Sequence, residues 1–69
     1  MNPFLVKRSI RLAGHATSLA LEAEFWAALE ALSRAREISL AMLVAEQDAA
    51  RGVQPLASRL RVFALVTRA

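Results

Sequence analysis

Sixty-nine residues, no cysteine and 57% apolar side chains limit the chain to one small domain over residues 1–69, with little room for a deep catalytic pocket. A chain of this size buries only about 60% of its unfolded surface, and without cysteine neither a disulfide nor a thiolate metal site can reinforce it. Association with a second copy is the remaining way to cover the surplus apolar surface, and the mean hydropathy of +0.38 agrees. The net charge of +3 is unevenly spread. Lys7, Arg8 and Arg11 precede any acid, and Arg51, Arg59, Arg61 and Arg68 follow the last one, around an acidic centre from Glu22 to Asp48. Basic ends of this kind suit a polyanionic partner.

From Phe4 to Leu12, Val6, Arg8, Ile10 and Leu12 share one parity and Lys7, Ser9 and Arg11 the other, a period of two that predicts a strand over 4–12. Ala13-Gly14-His15 breaks it with a hairpin-type turn. A second strand follows over 16–22, with Thr17, Leu19 and Leu21 on one face and Ala16, Ser18 and Ala20 on the other. The period then changes. Phe25, Trp26, Leu29 and Leu32 form one stripe of a helix over 23–36, with Glu22 and Glu24 at its start, where the helix dipole favours acids. Ser39 is an N-cap for a helix over 39–50 that buries Leu40, Leu43 and Val44, and Arg51-Gly52 ends it. Pro55 opens a third helix over 55–68, with Leu56, Leu60 and Phe63 on one face. The apolar run from Ile38 to Ala45 is far short of the roughly 20 residues that span a bilayer, and the amino-terminal stretch lacks the form of a secretory signal, so a cytoplasmic location is expected.

No residue set points to catalysis, a metal or a cofactor, and a non-enzymatic role is expected. His15 is the only histidine and sits in a turn. Phe25 and Trp26 lie at helical spacing beside Leu29, as core or dimer contacts do. Glu22 and Glu24 read as helix-start charges, and Arg59 and Arg61 as a solvated face.

Taken together, Val6-Lys-Arg-Ser-Ile10, Gly14-His15, Thr17-Ser18, Phe25-Trp26, Ser39-Leu40, Leu43-Val44 and Leu60-Arg-Val-Phe63 resemble a bacterial subfamily of short ribbon-helix-helix proteins of the Arc/MetJ type, with an added amino-terminal strand and third helix. The resemblance implies a mainly α fold with a short β-ribbon, in an intertwined homodimer that regulates transcription by binding double-stranded DNA. The ribbon would lie in the major groove, with Ala16, Ser18 and Ala20 facing bases, the Ser39-Leu40 helix start on a phosphate, and Lys7, Arg8 and Arg11 as a basic arm. Leu19, Leu21, Phe25, Trp26, Leu29 and Val44 would form the dimer core. Alanine offers a base no hydrogen bond, so binding dominated by phosphates is expected. The first strand poses a geometric problem: paired beside a central ribbon in both chains it makes a sheet about 14 Å across, against a groove about 12 Å wide, so groove insertion requires it to swing away. A dimeric interaction or antitoxin-like module, gripping a protein through the apolar third helix, is the competing expectation.

Overall fold

The computed structural model describes residues 4–67; the expected end of the third helix at Arg68 lies outside them. Two strands, β1 (Leu5–Leu12) and β2 (His15–Glu22), precede three helices, α1 (Ala23–Ala35), α2 (Leu40–Ala50) and α3 (Leu56–Thr67). β1 and β2 form an antiparallel hairpin closed by Ala13 at φ 50° and Gly14 at φ 88°. Positive φ at both central residues is the type I′ signature, whose twist matches that of the strands. Only two residues are needed for such a turn, so β2 starts at His15 rather than Ala16.

The register pairs Leu12 with His15 and runs without a bulge to Leu5 opposite Glu22. It therefore sorts the side chains into two layers. Val6, Arg8, Ile10 and Leu12 share the inner face with Thr17, Leu19 and Leu21, while Lys7, Ser9 and Arg11 share the outer face with Ala20, Ser18 and Ala16. The helices cover the inner face. Ile10, Leu12, Leu19 and Leu21 pack there with Trp26 and Leu29 of α1, Leu43 and Val44 of α2, and Leu60 and Ala64 of α3.

The end of α1 and the start of α2 each have a local cause. At the end of α1 the Glu37 N–H donates to the Arg34 carbonyl (3.1 Å) and the Ile38 N–H to the Ser33 carbonyl (3.0 Å), the paired bonds of a Schellman cap. That cap requires a left-handed residue, and Glu37 fills the position at φ 56°. Left-handed backbone costs a residue with a Cβ roughly 1–2 kcal/mol, so Glu37→Gly is expected to stabilise the fold by about 0.5–1 kcal/mol, read as a higher denaturant midpoint. α2 begins at Ser39, whose hydroxyl accepts the Met42 N–H at 3.0 Å. Loss of this bond in Ser39→Ala should cost about 1 kcal/mol in the same measurement.

One expectation is corrected by the packing of α3. Arg59 and Arg61 are not a solvated face: Arg59 donates to Gln47 at 2.9 Å, and Arg61 donates to Glu22 at 2.9 Å while lying 6.0 Å from the Phe25 ring. They fasten the third helix to α2 and to the strand–helix junction. In addition, α3 completes an internal core within one chain. Leu19, Leu21, Trp26, Leu29 and Val44 are buried there without a second copy, and Phe25 packs half-buried at its margin.

Glu22 contributes a pH dependence. A hydrogen bond from its own backbone N–H, and then the Arg61 guanidinium, hold its carboxyl below the ordinary glutamate value. A carboxylate with a depressed folded-state pKa stabilises the fold above its unfolded value, and this is lost as the pH falls through the folded one. Arg61→Gln should therefore lower the melting temperature at neutral pH and reduce its fall on acidification.

Candidate nucleic-acid interface

The outer face of the hairpin is the most distinctive surface of the chain. Along β1 it carries Lys7, Ser9 and Arg11, and directly opposite on β2 stand Ala20, Ser18 and Ala16. Each long cation thus faces a small residue, so nothing across the strand crowds or neutralises it. The one acid of this parity, Glu22, lies at the far end of β2 and is held by Arg61. Lys7 has no ion pair among the described residues. Arg11 spends one guanidinium N–H on the Gly14 carbonyl at 3.0 Å, which holds it at the hairpin tip with its other donors unused among the described residues.

Arg8 does not belong to this surface. Expected in a basic arm with Lys7 and Arg11, it lies on the inner face, with its guanidinium 4.7 Å from the Trp26 ring centroid and 3.3 Å from Glu30. The parity of the strand forces this placement, and Trp26 supplies the reason that a cation is tolerated there. Trp26 also donates from Nε1 to the Val6 carbonyl at 2.8 Å. β1 is therefore a paired strand, bound along one edge by β2 and from beneath by α1, and not a free arm. Arg8→Ala should lose about 0.5–1 kcal/mol of cation–π stabilisation, visible in the denaturant midpoint.

The second candidate feature is the start of α2. Ser39 is exposed and its hydroxyl caps the Met42 N–H. The N–H groups of Leu40 and Ala41 have no intrahelical acceptor, as in the first turn of any helix. No acid stands in that turn. The Leu40 side chain is half-buried against the core, so at this helix start it offers only its backbone.

The edges of the hairpin differ as its faces do. A two-residue type I′ turn makes Leu12 and His15 a hydrogen-bonded pair, and the bonded pairs then alternate along the ladder. Ala16, Ser18 and Ala20 consequently direct their backbone N–H and C=O groups away from β1, toward the open edge of β2. Lys7 and Arg11 border the opposite edge, along β1. Among candidate residues, Ser9 escaped the sequence reading, although its parity with Lys7 and Arg11 was the available signal.

The two-stranded ribbon, the helix pair with its capped second helix, and the added third helix define the ribbon-helix-helix fold. The chain belongs to the ribbon-helix-helix domain family, which it matches over residues 5–67. No curated protein and no solved structure matches it. Among the described residues no helix is long and apolar enough to cross a membrane.

Proposed function

We propose that the chain is a DNA-binding transcriptional regulator that acts as a homodimer in the cytoplasm. The observation that carries this reading is the outer face of the hairpin, where Lys7 and Arg11 pair with no acid among the described residues and stand beside a small-residue strand. The exposed Ser39 helix start adds unpaired N–H groups suited to a phosphate. Membership of a family whose fold presents a β-ribbon supports the same conclusion.

The asymmetry of the edges supports one mode of dimerisation over the other. Pairing two copies through β1 would set the Lys7 and Arg11 of one against those of the other, and like charges opposed across strands are destabilising. Pairing through β2 brings together Ala16, Ser18 and Ala20 on the outer face, without opposed cations, and their backbone groups already point outward. The β2 edge is therefore the dimer edge. A labelled duplex titrated at low and high salt tests the function: binding that weakens steeply with salt is expected, and absence of binding at low salt contradicts it.

A second reading, a protein-interaction or antitoxin-like module, draws on α3. Val62, Leu65 and Val66 are exposed on it, and Leu65 borders a shallow groove with Glu24, Phe25, Ala28 and Ala64. An apolar partner segment would use this face. Failure of DNA binding by a well-folded dimer would favour it.

A further inference from the structure

We propose that β1 forms a phosphate rail, with Lys7 and Arg11 clasping the two DNA backbones that border the groove while the centre of the sheet reads no bases. The inference rests on the DNA-binding homodimer proposed above and assigns the contact to a strand outside the central ribbon.

Two observations and one consequence of the proposed dimer carry it. First, β1 stays paired with β2 over its whole length, from Leu5 opposite Glu22 to Leu12 opposite His15, and Trp26 bonds the Val6 carbonyl from below. The strand does not need to leave for the protein to bind. Second, joining two copies through β2 sets the strands in the order β1, β2, β2, β1, with the two β1 strands outermost and about 14 Å apart at the usual strand spacing. The major groove is about 12 Å wide, so the outer strands lie over its phosphate walls rather than between them. Third, the side chains suit that placement. The outer strands bear Lys7 and Arg11, and the inner ones bear Ala16, Ser18 and Ala20. The cations stand tall at the margins of the sheet, and the short centre is held away from the base edges.

The chemistry of each rail residue fits a phosphate. Lys7 offers an ammonium that makes no ion pair or side-chain hydrogen bond among the described residues. Arg11 is oriented by its bond to the Gly14 carbonyl and keeps further N–H donors for a phosphate oxygen. Ser9, between them on the same face, adds a hydroxyl donor. The two-fold axis of the dimer duplicates the set, placing four cations on the flanking backbones. Recognition by this surface is of the duplex shape and charge, not of its sequence.

The test is the salt dependence of binding by the full chain to two unrelated duplexes of equal length. For Lys7→Ala/Arg11→Ala, the log–log slope should become shallower by about 3.6, or 0.9 for each of four phosphates, on both duplexes alike. Lys7→Gln/Arg11→Gln removes the charges but keeps hydrogen-bonding groups, and should give the same loss of slope with no change in the affinity ratio between the duplexes. Arg8→Gln, whose guanidinium serves Trp26 and Glu30, should leave the slope unchanged. An unchanged slope in the double variants, with binding retained, overturns the rail but not the DNA-binding reading. A loss confined to one duplex also overturns the rail, because it makes Lys7 and Arg11 base readers. Failure of the unmodified chain to bind either duplex overturns both.

Discussion

Leu29→Asp is expected to leave no folded protein. Leu29 is fully buried at the middle of α1, beneath the sheet and among Leu21, Leu43, Val44 and Leu60, which are fully buried as well. Truncating a buried leucine costs about 2–5 kcal/mol, and a carboxylate without a cationic partner in that position adds the penalty of a desolvated charge. A chain of this length has about 3–10 kcal/mol of stability in total, so one such substitution consumes most or all of it. Far-ultraviolet circular dichroism should show an unfolded chain with no thermal transition. A cooperative transition in this variant would contradict the core assignment. Because the elements of a single copy cover Leu29, this result concerns the fold and not the dimer.

Dimerisation is separated from folding by a change at the edge. Ser18→Pro should yield a folded monomer. The Ser18 N–H points to the open side of β2, so its loss removes no bond from the hairpin, and proline is tolerated at such edge positions. In the dimer the same change removes one inter-chain hydrogen bond per copy, which raises the dissociation constant on the order of 10²-fold. Leu19→Pro is the informative contrast, since the Leu19 N–H faces Arg8 across the hairpin and its loss damages the fold itself. Sedimentation should show a monomer for Ser18→Pro at concentrations where the unmodified chain is dimeric. The melting temperature of the unmodified chain should rise with concentration while that of the variant does not. A Ser18→Pro protein that stays dimeric would contradict pairing through β2.

Local patterns in the chain carried most of the fold. Strict alternation marked both strands, Gly14 marked the turn, Ser39 marked the start of α2, and Leu56, Leu60 and Phe63 marked the face of α3. What sequence did not disclose depended on partners far along the chain. Arg8 looked like one more basic-arm residue because its charge outweighed its parity, and its partners Trp26 and Glu30 lie a helix away. Arg61 reads as surface charge until α3 folds back on Glu22, 39 residues earlier. Glu37 in the left-handed cap had no signal, since the usual residue there is glycine.

The candidate site was half legible for a related reason. Ala16 and Ala20 considered alone suggest a ribbon stripped of contacts. Once the turn fixes the register, each proves to be the small neighbour of a cation on β1, and the pair is the unit that matters. A two-residue turn between Leu12 and His15 determines that register uniquely, so the pairing followed from the turn type and not from any single residue.

Sedimentation of a labelled duplex with the unmodified chain at low salt tests the DNA-binding homodimer most directly. The DNA-binding homodimer requires the label to move as one complex of the duplex with two copies of the chain, or with a multiple of two at higher loading. A label that sediments as free duplex in the presence of excess folded protein, or as a complex containing a single copy, would contradict it.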